Sequence, residues 1–333
     1  MIEWIEFKNF KVLRNAKLPL NRFTLIVGAN GSGKSTAFNA ILAIRDPNQR
    51  NFRQIQTAGV PETKPVALTA QWAEEKNEFL IEVVWSMHTS TKQSFKVAAQ
   101  NQTRDESRPR DALQRARIFS LDATAIANPV HLEPQMELAH TGSNLAGVLD
   151  RLRDQNPERF EALNEQLGRW IPEFDRILFE TPQSGYRSVA LRTREGRHVI
   201  KAADLSQGTL IALALLTIAY LPEPPSIVCL EEPDHGLHPR LLRDVRDALY
   251  RLAYPEGSNE RRKPVQVIAT THNPYFLDLF RDHPDEIVIA EKVGLEAKFS
   301  RLSDRTDLEE ILGDAPLSEV WYSGVLGGVP AGT

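Results

Sequence analysis

The chain has 333 residues, enough for one large or two modest domains around a buried core. Its content of 41% hydrophobic and 25% charged residues is that of a globular protein, and no apolar run nears the roughly 20 residues of a membrane span, so membrane insertion is not expected. A net charge of −4 excludes a surface that attracts polyanions everywhere, and the single Cys229 excludes an internal disulfide; with no basic leader at Met1-Ile2-Glu3-Trp4, a cytoplasmic location is expected.

Ile2 to Phe7 alternates as a strand does, and a second extended stretch follows Asn9-Phe10-Lys11. The apolar run Phe23 to Val27 then leads into Gly28-Ala29-Asn30-Gly31-Ser32-Gly33-Lys34-Ser35, the pattern G-x-x-x-x-G-K-[ST]. Glycines here let consecutive backbone N–H groups turn inward onto phosphate oxygens. Lys34 adds a positive charge for the β and γ phosphates, Ser35 a hydroxyl for Mg²⁺, and the helix from Thr36 to Leu42 the positive end of its dipole. Asp46-Pro47-Asn48 breaks that helix.

Val66 to Trp72, Phe79 to Trp85 and Lys92 to Val97 read as neighbouring strands, an antiparallel β layer added to the core. Residues 100 to 118 are polar and read as a loop. Ser143 to Arg153 and Pro157 to Trp170 carry helical spacing, with Leu145, Val148, Leu149 and Leu152 on one face of the first; Ile177 to Thr181 and Ser188 to Arg192 return to strand character. Leu205-Ser206-Gln207-Gly208-Thr209 precedes the apolar helix Ala212 to Tyr220; by itself it reads as an ordinary N-cap or as a second anion-binding helix terminus. Ser226 to Leu230, Val265 to Ala269 and Glu286 to Ala290 look like buried parallel strands, and the helix Arg240 to Leu252 between the first two makes a βαβ progression. The expected fold is α/β with a mostly parallel core sheet, the antiparallel layer and a small helical subdomain, in lobes 1–98, 99–225 and 226–333 of one domain.

The strand Ile227 to Leu230 ends in Glu231-Glu232, where a phosphate-loop enzyme needs one acid on the metal side and one to polarise the attacking water. Glu231 is the candidate for the first role and Glu232, as general base, for the second. His272 caps the strand ending in Thr270-Thr271, at the carboxyl edge where open α/β sheets bind ligands, and its imidazole can donate a hydrogen bond to a γ-phosphate. Two stretches offer local positive charge for nucleic acid, Arg104 to Arg117 and Arg261-Arg262-Lys263.

Taken in order, these motifs resemble the ABC-type ATPases, and more closely their soluble SMC, RecF and OLD branch. Ile5-Glu6-Phe7-Lys8-Asn9-Phe10 is similar to that branch's first strand, and Gly28 to Thr36 to its phosphate loop. Leu205 to Thr209 resembles its signature motif. Glu231-Glu232-Pro233-Asp234 with Gly236-Leu237-His238-Pro239 resembles its Walker B and D-loop segment, and Thr271-His272-Asn273-Pro274 its switch-histidine strand. Many relatives carry Asp at the first acid; the longer Glu231 can still reach a metal-bound water.

The resemblance implies ATP and Mg²⁺ as ligands and an ATP-dependent homodimer, in which Ser206, Gln207 and Gly208 of one protomer close over the γ-phosphate held by Lys34 of the other. It places Asp234 near the two-fold interface and a Q-loop glutamine before Val66, for which Gln56 is the candidate and Gln54 the reserve. The small region between phosphate loop and signature, and the tail Glu319 to Pro330, resemble stand-alone ATPases encoded beside a nuclease or other effector in bacterial genome-maintenance and anti-phage systems. DNA is a further expected partner. Two other classes remain open: the nucleotide-binding subunit of a transporter, and a binding module that ATP latches with little turnover.

Overall fold

The computed structural model describes residues 1–74, 77–87, 89–97, 107–258, 260–294, 296–313 and 315–329. They divide into two compact units, one of residues 1–116, 226–229 and 266–333, the other of 117–225 and 230–265. One division falls at the expected 225/226, another at 116/117 rather than 98/99, and residues 230–265 group with 117–225 rather than with the rest of the last lobe.

The first unit contains two sheets. One is antiparallel, in the order Leu13–Pro19, Ile2–Phe10, Val66–Glu74, Asn77–Ser86, Thr89–Val97. Its inward residues follow the period of two that a half-buried sheet imposes: Leu68, Ala70 and Trp72 on one strand and Phe79, Ile81, Val83 and Trp85 on the next are all buried. Trp85 satisfies its indole N–H on the carbonyl of Pro47, 2.9 Å away, which ties the layer to the chain just after the phosphate-loop helix.

The other sheet runs in the order Glu296–Arg301, Ile287–Val293, Phe23–Val27, Gln266–Thr271, Ile227–Leu230. Phe23–Val27 is buried at every residue and pairs in parallel with the strands on both sides, Thr271 opposite Val27 on one and Ile289 opposite Val27 on the other. Continuous burial explains why this strand reads as an unbroken apolar run. Buried Gln266 joins the two sheets: its side chain accepts from the N–H of Ile2 at 2.9 Å and donates to the carbonyl of Ile2 at 2.6 Å, as a backbone ladder would.

The second unit is built on the helix Gln207–Tyr220, where every residue from Thr209 to Tyr220 is buried. A helix apolar all round must be covered all round. Pro157–Trp170 and Leu242–Ala253 pack against it, and its buried polar groups are satisfied: Thr217 bonds the carbonyl of Leu213, and Tyr220 accepts from Arg251. An antiparallel sheet of Phe174–Glu180, Tyr186–Thr193 and Val199–Lys201 completes the unit, with Val130–His131 paired to Tyr186 and Arg187.

The expected loop over residues 100 to 118 is corrected for its described part: Ser107–Gln114 is a helix that buries Pro109 and Leu113, and Ala116–Phe119 is a strand. Residues 100–106 lie outside the described residues. The loop reading failed because only two apolar side chains anchor a helix that is otherwise polar.

Candidate functional site

The phosphate loop belongs to the first unit and springs from the carboxyl end of its central parallel strand. Gly31 and Gly33 both take positive φ, 77° and 99°, which swings successive N–H groups to the inner side of the turn. The helix Lys34–Arg45 starts within the motif, capped at its N-terminus by Gly33 with no side-chain hydrogen bond. Its first-turn N–H groups are therefore not spent on a side-chain cap.

Lys34 is only 7% exposed, and its ammonium donates to the carbonyls of Gly28 at 2.7 Å and Ala29 at 2.9 Å, drawing the loop closed over its own start. Ser32 is buried with no hydrogen-bond partner for its hydroxyl among the described residues. An orphaned hydroxyl inside a glycine cradle suits a ligand rich in acceptor oxygens. Ala29 is half-buried, while Asn30 and Ser35 are exposed and Thr36 partly so.

Two strand ends flank Gly28. Because Thr271 is in register with Val27, His272 stands level with Gly28 on the adjacent strand. Asn273 then caps the helix Pro274–Asp278 by accepting from the N–H groups of Tyr275 and Phe276. On the other side the carbonyl oxygen of Ala290 lies 2.1 Å from where a Cβ on Gly28 would stand, so only glycine fits there.

Gln56 lies in a segment that clasps the hairpin between the first two strands. The N–H of Lys11 donates to Ile55 at 2.6 Å, the N–H of Thr57 donates to Asn9 at 2.9 Å, and Phe10 bridges Gln56. The amide nitrogen of Gln56 donates to Pro61, so its side-chain oxygen, the atom a hard cation would use, is not spent on that contact. Gln54, the reserve, is exposed on a single helical turn.

Sequence reasoning passed over this hairpin's chemistry. Val12 and Leu13 press on the missing side chain of Gly33, so the hairpin sits beside the phosphate loop. Burial, and then the charge of Arg50, hold the Lys11 ammonium below its usual pKa. The Nε atoms of Arg14 and Arg50 and the Thr57 hydroxyl are buried without hydrogen-bond partners among the described residues. The signal available beforehand was the run of basic residues around Asn9-Phe10-Lys11, which reads locally as a solvated turn.

The paired carboxylates and the Leu205 to Thr209 segment belong to the second unit. Glu231 follows the strand end, its N–H donating to Phe119 at 2.8 Å. Glu232 adopts φ 44°, a left-handed conformation that costs a residue with a Cβ about 1 kcal/mol. The turn after it is closed by the N–H of His235 on the carbonyl of Glu232 at 2.9 Å, and the His235 ring lies 3.9 Å from the Glu232 carboxylate. His238 accepts from the N–H of Arg240, an N-cap contact. Asp234 is buried.

Ser206 caps its own helix: its hydroxyl accepts from the N–H of Thr209 at 3.2 Å and shares a 2.8 Å hydrogen bond with the Thr209 hydroxyl. Behind it, Gly208 abuts the carbonyl of Gly236, and the missing side chain of Gly236 is covered by Gln207. The Leu205 to Thr209 segment and the turn following Glu231 and Glu232 are thus one packed structure, a contact that neither stretch announces alone.

The basic stretches are partly used up. Arg262 is nearly buried, paired with Glu260 and bonded to the carbonyl of Arg251, while Arg261 and Lys263 are exposed. In the other stretch Arg117 pairs with Glu137, and residues 104–106 lie outside the described residues. No helix among the described residues is long and apolar enough to cross a membrane.

An "OLD nuclease" of Thermus scotoductus is 23% identical over 344 aligned positions, which cover 87% of this chain; the chain spans 64% of that protein's length. The solved SMC head domain from Thermotoga maritima superposes with a TM-score of 0.53 at 17% identity, over 90% of this chain and 98% of the other, so the two share an α/β P-loop fold. A structure titled as the recombination mediator protein RecF with ATPrS gives 0.46 at 11% identity, over 90% and 98% of the two chains. The family described as "AAA domain, putative AbiEii toxin, Type IV TA system" matches residues 23–278, from the strand before the phosphate loop to the helix after His272, and the chain belongs to that family of P-loop ATPase domains.

Proposed function

We propose that the chain binds and hydrolyses ATP, dimerises around it, and passes the resulting movement to an effector. The observation that carries ATP binding is the phosphate loop: left-handed Gly31 and Gly33, an N-terminus without a side-chain cap and the buried Lys34 ammonium form a cradle for a polyphosphate. The hairpin carrying Lys11 and Arg14 flanks the cradle through Val12 and Leu13, which pack on Gly33.

We assign the remaining roles from the resemblance of the motifs. Ser35, Gln56 and Glu231 carry the oxygen atoms assigned to Mg²⁺, which supplies charge neutralisation for the phosphates. Glu232 is assigned as the base that orients the attacking water, and His272 as the donor to the γ-phosphate. Ser206, Gln207 and Gly208 are assigned to the partner protomer's nucleotide. The relative named an OLD nuclease supports an effector of the nuclease kind; the task assigned to the pair is DNA maintenance or anti-phage defence.

The test is phosphate release by wild type and Glu232→Gln, with light scattering in ATP and Mg²⁺. Turnover by wild type, its loss in the variant, and an ATP-bound dimer of the variant are expected. Equal near-zero rates in both would reduce the protein to an ATP-latched binding module, and a variant that stays monomeric with ATP bound would contradict the sandwich.

A further inference from the structure

The segment from Leu317 onward touches the rest of its own unit at two places, beside the helix after His272 and at the start of the phosphate loop. At one end, the short helix Leu317–Tyr322 packs on the helix Pro274–Asp278, which begins two residues after His272. Ser318 pins it there with two hydrogen bonds to one carboxylate, its N–H to Asp278 Oδ1 at 2.7 Å and its hydroxyl to Oδ2 at 2.6 Å, and Leu317 is fully buried beneath.

At the other end, the turn Gly324 to Gly328 closes on the start of the phosphate loop. Gly327 and Gly328 hold φ of 76° and 70°, and Gly327 donates its N–H to Gly324 at 3.0 Å. A Cβ on Gly328 would lie 2.9 Å from Ile289 Cγ2 and 3.3 Å from both the Ala290 carbonyl oxygen and the Cα of Gly28. A Cβ on Gly327 would meet the Glu291 carboxylate at 3.2 Å. Between the two ends, Arg305 donates to the carbonyl of Val325 at 3.0 Å while held by Asp307, and Leu326 is buried.

We propose that residues 317–328 are a positioning strut for the nucleotide site, fixing the height of Gly28, and with it the phosphate loop, relative to the helix that follows His272. The physical ground is that both ends are held at defined points: a bidentate hydrogen-bond pair on Asp278, and a close approach of Gly328 to Gly28, where an added Cβ would stand 3.3 Å from the Gly28 Cα and 2.9 Å from Ile289 Cγ2. Loop position and histidine position are then set by one element, so the cradle for the phosphates and the donor at the neighbouring strand end keep their spacing. The inference rests on the ATP-binding reading above.

The test compares Gly328→Ala with Gly313→Ala in titrations with a fluorescent ATP analogue. Gly313 also has positive φ, 44°, but nothing lies within 4 Å of its would-be Cβ, so its variant carries positive-φ strain without the contact. Gly328→Ala is expected to weaken ATP binding about tenfold, the scale that sub-ångström misplacement of a site produces, while Gly313→Ala binds as wild type does. Unchanged affinity in Gly328→Ala, or the same loss in both variants, overturns the strut. Should Gly328→Ala not fold, Ser318→Ala decides, since it leaves the backbone and Gly28 untouched: weakened binding at an unchanged unfolding temperature supports the strut, and wild-type affinity overturns it. Wild type that fails to bind the analogue would instead sink the ATP-binding reading, a result these variants cannot mimic.

Discussion

The carbonyl oxygen of Gly236 stands 2.7 Å from the position a Cβ would take on Gly208, so the first turn of the helix Gln207–Tyr220 and the turn after the paired glutamates touch backbone to backbone. Neither can shift without the other. Gly208→Ala must push Gly236 away, and Gly236 cannot yield freely because Gln207 covers its other side and its φ is already 73°. The variant is expected to hydrolyse ATP at least tenfold more slowly while a monomer still binds ATP with nearly wild-type affinity. Parallel measurement of turnover and of binding below the dimerising concentration checks this; equal losses in both would place the damage in the fold.

At Glu232 strain and chemistry can be separated. Its φ of 44° is a conformation in which glycine loses nothing, so Glu232→Gly relieves about 1 kcal/mol of backbone strain, offset in part by the greater freedom of glycine in the unfolded chain. Glu232→Val meets the strain with a β-branched side chain and gains no relief. We expect both variants to lose turnover, the glycine variant to melt no lower than wild type, and the valine variant to melt several degrees lower. A glycine variant clearly less stable than wild type would mean that the Glu232 side chain, not the rest of the turn, holds this backbone.

Lys34 carries structure as well as charge. Its two hydrogen bonds to Gly28 and Ala29 draw the loop over its own start, so Lys34→Ala removes a ligand for phosphate and also a brace of the loop. The expected result is a loss of ATP affinity of about 100-fold, roughly the worth of one strong charge-assisted hydrogen bond, by calorimetric titration. Lys34→Arg keeps the charge and does not rescue, because a planar guanidinium cannot replace the ammonium at two carbonyls in so small a space.

The fold was legible where local pattern and burial agree. Phe23–Val27 is apolar in sequence and wholly buried in the sheet, and Pro157–Trp170 begins at a proline and shows its helical face plainly. The phosphate loop was legible because glycine and lysine are required there by chemistry. What escaped depended on contacts between distant residues: nothing near Gly208 names Gly236, and nothing near Gly28 names Ala290 or Gly328. The helix Ser107–Gln114 escaped because its two buried residues are too few to set a period.

Arg262 shows what such a distant contact does to a functional guess. By sequence it is the middle residue of a basic loop suited to DNA; in the structure its guanidinium is engaged by Glu260, which also pairs with Arg251. Burial raises the Glu260 pKa, but hydrogen bonds and charge from Arg262 and Arg251 outweigh it and leave the carboxyl below its ordinary value. A depressed folded-state pKa means that the contribution to stability is complete above the unfolded value of about 4.3 and is lost as pH falls through the lower folded value. Glu260→Gln should therefore cost about 1–3 kcal/mol at neutral pH, with the gap from wild type closing as acid is added, a trend that denaturant unfolding at several pH values will reveal. Arg262→Ala should likewise lower stability, so any accompanying loss of DNA retention would report folding. The charges left for phosphate contacts are Arg261 and Lys263: reversing both should leave the melting temperature unchanged and reduce the salt slope of duplex binding by about 2 if each meets one phosphate. An unaltered slope would remove this loop from the DNA interface.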